Sequence, residues 1–290
     1  MRLKKILVPT DFSETADHAL AQAVELAAQH GSRLELLHIV EPYGEPPPSM
    51  MAVVRDYMDE LEHDAEQTLA AKAEAIRADG IDVRHSTSHH VSPFEAIAEK
   101  VEGMEPDLVV MGTHGRRGFK RLILGSVAEK ILRSVPVNAL TMSLEAPVVK
   151  RDRGFTRILV PVDFSDNSKR ALDAAFSLLA DDGTLHVVHI VESPIYPTFY
   201  PGPVVVPERA DPEFTGKVRE HLDRWLDGRN AELTVRDGDP SYEILDVGGD
   251  VKPELVVMGT RGLSGLSHVL LGSVTENVVR RAPVPVLTVH

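Results

Sequence analysis

The chain has 290 residues, a formal net charge of −13 and no cysteine. This length predicts two domains of ordinary size, each with its own core. The acidic balance argues against nucleic acid as a main partner, and the absence of thiols excludes disulfides, thiolate catalysis and zinc–cysteine clusters. No segment is apolar for long enough to insert into a membrane, and Pro9 and Asp11 break the apolar stretch near the start, so we expect a cytoplasmic protein.

The first predicted strand is the apolar run Lys5–Val8, and the run Arg157–Val160 repeats it in the second half. Short apolar runs without alternation are typical of strands buried on both faces, so we predict a parallel sheet. Apolar residues at helical spacing follow each run. Gly31 and Gly183 are predicted to end these two helices as C-caps.

The next predicted strands are Leu34–Val40 and Leu185–Val191, which both run into the letters HIVE. A proline-rich segment follows in each half, at 41–49 and at 193–207, and we predict loops there because proline forbids regular structure. The second segment is unusually apolar. It is predicted to pack over its own domain or into an interface, and a lid or a second ligand pocket is the alternative.

A helix at Leu61–Ile76 and a strand at Ile81–Ser86 continue the first half, and Ser92 is predicted to cap the next helix. Glu232–Arg236 and Asp239-Pro240 are their counterparts in the second half. Three histidines lie near one another at positions 85, 89 and 90. We predict no metal site there, because an extended segment directs neighbouring side chains to opposite faces.

Each half therefore reads as a strict alternation of strands and helices, βαβαβαβαβ. Such alternation with right-handed crossovers gives a doubly wound parallel sheet. We predict an α/β protein with two Rossmann-like, five-stranded sheets in tandem. The predicted limits are 1–143 for the first domain, 144–155 for a polar linker and 156–290 for the second domain.

A long motif occurs in both halves, at 107–141 and at 254–288, with about half of its positions identical. In each copy an apolar run meets a glycine, and the pattern continues with two residues, a glycine, nine residues and Gly-Ser. The motif residues are Gly112, Gly115, Gly125 and Ser126 in the first copy and Gly259, Gly262, Gly272 and Ser273 in the second.

Glycine permits positive φ angles and lets the backbone approach a ligand closely. The segments 126–129 and 273–276 both read S-x-x-E, which predicts a capping box and a helix start directly behind the last glycine. Helix starts attract anions, so the motif predicts a phosphate site. The alternative is that the glycines only mark turns and the serines only cap helices.

Ligands of doubly wound sheets bind beyond the C-terminal strand ends, where the strand order reverses. Asp11 and Gly112 both lie at such strand ends, so the carboxylate and the glycine loop share one crevice if strands one and four are neighbours. A P-loop signature, G-x-x-x-x-G-K-[ST], is absent from the sequence. A site of this kind would bind a triphosphate mainly through backbone donors.

Both halves resemble the universal stress protein domain, whose ATP-binding members carry the pattern G-x-x-G, nine residues and G-S/T. The resemblance covers nearly the whole chain apart from the proline-rich loops. It implies ATP, with or without Mg²⁺, as the ligand. The implied binding residues are Pro9, Asp11, Val40, Met111, Gly112, Gly115, Gly125, Ser126 and Val127 in the first half and Pro161, Asp163, Val191, Met258, Gly259, Gly262, Gly272, Ser273 and Val274 in the second.

The resemblance also places the fifth strand of each half at a sheet edge, which an unpaired protein would have to protect. These strands are predicted at Val137–Met142 and Val284–Val289, and both are apolar. We therefore predict an internal pseudo-dimer in which the two last strands meet. A homodimer and an unidentified protein partner are further expectations of the resemblance.

Three functions are compatible with these features. The first is an ATP-binding stress regulator in which nucleotide occupancy changes conformation or partner choice. The second is a slow ATPase or phosphotransferase, for which the sequence places no catalytic base, since Asp11 and Asp163 are better explained as ligand contacts or helix-start acids. The third is a scaffold that binds an apolar molecule under the 194–207 loop.

The two glycine loops differ in charge. The first carries four cations, whereas Thr260–His268 offers only Arg261 as a fixed positive charge. We therefore expect the first half to hold ATP more tightly, by an amount on the order of tenfold. The four cations are Arg116, Arg117, Lys120 and Arg121.

Overall fold

The computed structural model describes residues 1–42, 47–115, 124–150, 154–192, 212–262 and 271–290, without the side chains of Pro48, Pro212 and Phe214. Strands and helices alternate within each half of the described chain, as the sequence predicts. We call the elements up to Met142 lobe 1 and those from Phe155 onward lobe 2.

Lobe 1 contains five strands and the helices that connect them. The elements are β1 (Lys5–Pro9), α1 (Glu14–His30), β2 (Arg33–Val40), α2 (Met51–Ala78), β3 (Val83–His89), α3 (Pro93–Met104), β4 (Leu108–Gly112), α4 (Ser126–Ser134) and β5 (Ala139–Met142). The predicted N-cap of α3 is confirmed, because Ser92 Oγ accepts the N–H of Glu95 at 3.4 Å.

Lobe 2 repeats this order of elements. They are β6 (Phe155–Pro161), α5 (Asp166–Leu178), β7 (Leu179–Val191), α6 (Pro212–Leu226), β8 (Glu232–Asp237), α7 (Pro240–Val251), β9 (Leu255–Gly259), α8 (Ser273–Arg281) and β10 (Val286–Val289). The predicted start of α7 is also confirmed, because Asp239 Oδ1 accepts the N–H of Tyr242 at 2.9 Å.

The ten strands form one sheet in the order β3-β2-β1-β4-β5-β10-β9-β6-β7-β8. Within each lobe the strands are parallel, and β1 pairs with β4 just as β6 pairs with β9. The strand order reverses at these two pairs. The predicted doubly wound topology is therefore confirmed, and each lobe has the expected switch point.

The lobes meet through their last strands. β5 and β10 pair antiparallel, with Val286 opposite Thr141, Leu287 opposite Leu140 and Thr288 opposite Ala139. Buried threonine hydroxyls add bonds across this seam: Thr141 Oγ1 donates to the Val286 carbonyl, and Thr288 Oγ1 donates to the Ala139 carbonyl. The predicted pairing of the two last strands is confirmed, so the two predicted sheets are halves of one.

Apolar side chains cover both faces of this sheet. One core lies beneath α1, α2, α5 and α6, and the other lies beneath α3, α4, α7 and α8. Both cores are continuous from one lobe to the other. Since the helices pack on both faces, the functional crevices are left at the C-terminal strand edge.

The linker lies along α1. The side chain of Gln22 is buried and bonds Val149 twice, accepting its N–H at 2.8 Å and donating to its carbonyl at 3.3 Å. His18 Nε2 donates to the Ala146 carbonyl at 2.5 Å. These backbone contacts hold the linker against lobe 1.

One of the two predicted helix C-caps is wrong. Gly31 does end α1 as a left-handed C-cap, with φ 64°, but Gly183 does not end α5. The helix stops at Leu178 because Leu179 already pairs with Phe155 of β6, and the register then shifts to Thr184 opposite Arg157. Gly183 thus lies in an irregular part of β7, where sheet pairing overrides the helix signal.

Helix α2 is also longer than predicted, since it begins at Met51 rather than Leu61. Its buried residues, from Ala65 to Ile76, all lie in the later part of the helix, where it packs on the sheet. The loop at 193–207 and the four cations of the first glycine loop, Arg116, Arg117, Lys120 and Arg121, lie outside the described residues. Among the helices of the described residues, none combines the length and apolarity that crossing a bilayer requires.

Candidate functional site

Each lobe has a switch point, where the strand order reverses between two neighbouring strands, and we call the region between these strand ends the crevice. In lobe 1 the strands are β1 and β4, and in lobe 2 they are β6 and β9. The turn after the first strand carries an aspartate, and the turn after the second carries the glycine loop. The structure brings these two segments into direct contact.

The aspartate lies against the second glycine of the motif. A Cβ atom added to Gly115 would sit 2.5 Å from Oδ2 of Asp11, and one added to Gly262 would sit 2.5 Å from Oδ2 of Asp163. Real Cβ contacts do not become that short, so only glycine allows the carboxylate to stay where it is. The predicted sharing of one crevice by carboxylate and glycine loop therefore holds in both lobes.

Each carboxylate also shapes its own turn. Asp11 Oδ1 accepts the N–H of Ser13 at 3.0 Å, and Asp163 Oδ1 accepts the N–H of Ser165 at 3.1 Å. The residue between the aspartate and the serine is a phenylalanine in both lobes. Phe12 and Phe164 have φ angles of 62° and 65°. Non-glycine residues in this left-handed region are strained by about 1–3 kcal/mol and cluster at functional sites. The turn after the first strand therefore has the same rare backbone conformation in both lobes.

A histidine from the second strand fixes this strained turn, and the sequence reasoning missed it. His38 Nδ1 donates to the Thr10 carbonyl, and His189 Nδ1 donates to the Val162 carbonyl, both at 2.8 Å. Phe12 stacks on His38 with ring centroids 4.2 Å apart. The signal was visible in the sequence, because the triplet DFS and the letters HIVE occur in both halves.

The first motif glycine has a packing role. A Cβ atom on Gly112 would lie 2.8 Å from Cγ2 of Thr15, and one on Gly259 would lie 2.8 Å from Cβ and 2.9 Å from the carbonyl carbon of Asn167. Thr15 and Asn167 belong to the first turns of α1 and α5. Gly112 and Gly259 therefore let these helices pack directly on the strand ends.

The third motif glycine is the N-cap of the following helix, which corrects the predicted capping boxes. α4 begins after Gly125 and α8 after Gly272, and neither helix has a side-chain cap bond. The serines are the first helical residues and are exposed. A serine at that position has helical backbone angles, so its hydroxyl is not placed to cap the amides two and three residues ahead.

The positive φ angles predicted for the motif glycines are wrong as well. Gly125 and Gly272 have φ angles of −62° and −74°, and the described glycines with positive φ are all elsewhere. The N–H groups of Gly125 and Gly272 donate to the carbonyls of Thr113 and Thr260, both at 2.7 Å, and these bonds close each loop at its base. The next three amides of each helix lack an intrahelical partner, and amides at a helix start can bind an anion.

The remaining predicted residues surround these features. Pro9 and Pro161 end β1 and β6, and Val40 and Val191 end β2 and β7. The carbonyls of Val40 and Val191 accept N–H groups from His90 and Gly238, at 3.3 and 3.1 Å.

The last four predicted binding residues pack in the core or against it. They are Met111, Met258, Val127 and Val274. Met111 and Met258 are 5% and 4% exposed, so their side chains pack beneath the loop rather than line the crevice. Val127 and Val274 are the second residues of their helices and pack against the same core.

Several polar atoms at the two loops are buried without a hydrogen-bond partner among the described residues. They are Nε2 of His114 in lobe 1 and Oγ1 of Thr260 and Nε of Arg261 in lobe 2. Buried polar groups are nearly always bonded, so these three atoms could bond a polar ligand at the loops. Both loops therefore fit a ligand that is rich in hydrogen-bonding groups.

In lobe 2 two arginines, Arg170 and Arg261, lie near His290 beside the loop. Burial lowers the pKa of His290, and the positive charges of Arg261 and Arg170 lower it further. Arg170 Nε also donates to the His290 carbonyl at 3.2 Å. In lobe 1, burial and then the chain's amino terminus lower the pKa of His30, which lies at the far end of α1.

One cavity lies away from the crevices. A groove of about 550 Å³ lies at the opposite end of the strands, where the linker approaches Arg157 and Lys252–Glu254. Among the described residues, no three histidine, aspartate or glutamate side chains are grouped as a metal site requires.

The comparisons with known proteins agree with this architecture. The model of the universal stress protein family matches residues 2–142 and again residues 154–290. The chain belongs to the universal stress protein family. It carries two universal stress protein domains in tandem, as the resemblance of its two halves predicts.

Some relatives match nearly the whole chain, and others match about half of it. A universal stress protein of Mycolicibacterium smegmatis is 25% identical over 98% of this chain and 96% of its own length. Universal stress protein YxiE of Bacillus subtilis is 34% identical over 47% of this chain and 99% of its own length, so it matches about one domain. The crystal structure of a universal stress protein from Archaeoglobus fulgidus superimposes with a TM-score of 0.73, covering 100% of this chain and 99% of that one, at 25% identity.

Proposed function

We propose that the chain is an ATP-binding regulatory protein with one nucleotide site in each lobe. The observation that carries this proposal is the contact between aspartate and glycine loop at both switch points, 2.5 Å from Asp11 Oδ2 to a Cβ position on Gly115 and the same from Asp163 to Gly262. A helix start stands behind each loop, and it supplies the amide groups and the positive dipole end that attract phosphates.

The buried polar atoms favour the same ligand. Nε of Arg261 is a donor, and His114 Nε2 and Thr260 Oγ1 can donate to an acceptor such as a phosphate oxygen. The chain would therefore hold the phosphates through helix amides and these side chains, while the aspartate and the strand end near Val40 or Val191 face the nucleoside. Mg²⁺ would enter with the nucleotide and offset part of the phosphate charge.

We expect binding to act as a signal rather than as a step of turnover. Phosphoryl transfer needs a residue that places the attacking water or alcohol and a group that stabilises the developing charge. Asp11 and Asp163 each accept a backbone N–H in their own turn, which supports a role in shaping the site rather than in catalysis. Nucleotide occupancy would then change conformation or partner choice in the cytoplasm, with 1–143 and 156–290 as the two binding units.

The test is native mass spectrometry of the purified full chain together with calorimetric titration with ATP. We expect two ATP per chain, and hydrolysis far slower than the 1–100 s⁻¹ typical of kinases. A chain that binds no nucleotide would refute the proposal. Turnover at kinase rates would replace it by the ATPase or phosphotransferase alternative, and a bound lipid-like mass would favour the apolar-ligand alternative.

A further inference from the structure

Arg133 joins the first turns of the two helices that follow the glycine loops. It lies near the end of α4, and its Nε donates to Oε1 of Glu129, one turn earlier, at 3.0 Å. Its Nη2 donates to Oε2 of Glu276, which belongs to α8 of the other lobe. One guanidinium group thus bridges the same position of both helices across the lobe interface.

These two glutamates lie close to the proposed phosphate sites. Glu129 is three residues from the start of α4, and Glu276 is three residues from the start of α8, which corresponds to about 4.5 Å of helix rise. Such a distance is shorter than the Debye length of about 8 Å at physiological salt. The side chains of Arg133 and Glu276 are 34% and 27% exposed, so water screens their charges only in part.

A carboxylate in the first turn has two opposite effects. It stabilises the unliganded helix by interacting with the positive dipole end, but it repels a phosphate that binds to the same end. Glu129 and Glu276 would therefore both weaken nucleotide binding if their charges were uncompensated. Arg133 supplies the compensating charge to both.

We propose that Arg133 is a positioning residue shared by the two nucleotide sites. It holds Glu129 and Glu276 in one ion-pair network and offsets their negative charges, so that each helix start accepts phosphate. Because the residue acts from one lobe on the helix of the other, the strength of each site depends on the lobe interface. This inference rests on the proposed nucleotide function and adds its dependence on contact between the lobes.

The pseudo-symmetric residue provides a matched control. Arg280 occupies in α8 the position that Arg133 occupies in α4, and its Nη2 donates to Oδ1 of Asn277 in its own helix. Arg280→Gln removes the same charge from the equivalent place without breaking the bridge between Arg133 and Glu276. It therefore separates the effect of the bridge from that of net charge.

The experiment titrates ATP into the full chain and its variants Arg133→Gln, Arg133→Lys and Arg280→Gln, at low and at high salt. At low salt Arg133→Gln is expected to weaken ATP binding at both sites by about threefold, since the charge that offsets Glu129 and Glu276 is lost, and high salt should remove the difference. Arg133→Lys keeps the charge and should bind nearly as the unmodified chain does. Arg280→Gln should have a clearly smaller effect than Arg133→Gln.

Rescue by a second substitution tests the mechanism. Glu276→Gln added to Arg133→Gln should restore the lobe 2 site, and Glu129→Gln should restore the lobe 1 site, because the uncompensated charge is then gone. A merely structural role would show additive losses instead. Equal affinities of Arg133→Gln and Arg280→Gln, or absence of rescue, would overturn the inference while leaving ATP binding itself intact. No ATP binding to the unmodified chain would overturn both proposals.

Discussion

The two lobes have the same crevice frame but different side chains around it. In both, an aspartate lies against a glycine, a phenylalanine takes a left-handed backbone conformation and a strand histidine bonds the turn. Five residues after the N-cap serine, however, lobe 1 has His18 and lobe 2 has Arg170. His18 bonds the linker, whereas Arg170, like Arg261, lies near His290.

This difference shows which parts of the site depend on geometry and which on charge. The frame consists of side chains packed closely against glycine backbone and of hydrogen bonds to the turn, so it repeats in both lobes. The charged rim consists of long side chains at the edge, which can change without disturbing the frame. We therefore expect both lobes to bind nucleotide and to differ in how strongly salt affects them.

The largest expected effect comes from filling the space beside the aspartates. Gly115→Ala and Gly262→Ala would each bring a methyl group to 2.5 Å from a carboxylate oxygen, so the aspartate must move and one site should lose at least about tenfold in affinity. Calorimetry should then count one ATP per chain instead of two. Gly103→Ala in α3 and Gly249→Ala in α7, whose new methyl groups would meet open space, are the controls and should keep two.

The next effect concerns stability and distinguishes the lobes. Gly259→Ala would place its methyl group 2.9 Å from a backbone carbon of Asn167. In Gly112→Ala the nearest atom, at 2.8 Å, is the Thr15 methyl group, which can rotate away, and the Thr15 backbone carbon is farther, at 3.2 Å. We expect a loss of about 2 kcal/mol in the free energy of unfolding for Gly259→Ala and about 1 kcal/mol for Gly112→Ala. Thermal or urea unfolding measures both, and a larger loss for Gly112→Ala would contradict the comparison.

The third prediction concerns the charged rims. The cations of the first glycine loop predict that lobe 1 binds ATP on the order of tenfold more tightly and with the steeper salt dependence. Arg170 and Arg261 carry positive charge near His290 in lobe 2, so they should strengthen ATP binding there and reduce the difference in affinity. ATP titration of Gly262→Ala and Gly115→Ala, which isolate lobe 1 and lobe 2, at two salt concentrations measures it. Equal affinities with equal salt slopes would show that the loop cations are not near the phosphates.

The smallest effect is a change in pKa at lobe 2. Burial, Arg261 and Arg170 lower the pKa of His290, so phosphates bound beside Arg261 should offset the positive charge and raise that pKa toward its usual value. Nuclear magnetic resonance titration of the histidine rings with and without ATP measures this shift. The pKa of His30 responds first to burial and then to the amino terminus, so it should stay unchanged. A shift of both, or of neither, would contradict the placement of phosphate beside Arg261.

Linkage gives the sign of the stability change with pH. A histidine whose folded pKa is lowered binds protons less readily in the folded state than in the unfolded state. The contribution of His290 is therefore present above the ordinary histidine pKa and is lost as the pH falls through that value toward the lowered folded pKa. His290→Gln should flatten this part of the stability curve.

Much of the fold was determined by the sequence alone. Buried strands, capped helices and the tandem repeat are local patterns, because apolar periodicity and cap residues act over a few positions. The contact of Asp11 with the glycine loop also followed, since strand ends of a doubly wound sheet meet at the switch point. Because the chain is a tandem repeat, each pattern occurs in both halves and supports the same prediction twice.

The tertiary structure decided the details that depend on neighbours distant in the chain. Gly183 reads as a C-cap, but pairing of Leu179 with Phe155 continues the strand through it. The motif glycines read as positive-φ positions, yet they are needed because Thr15, Asn167 and the two aspartates leave no room for a Cβ atom. The bridge from Arg133 to Glu276 exists only because β5 and β10 bring the lobes together. Local patterns specify elements, whereas steric exclusion and charge pairing between elements are properties of their packing.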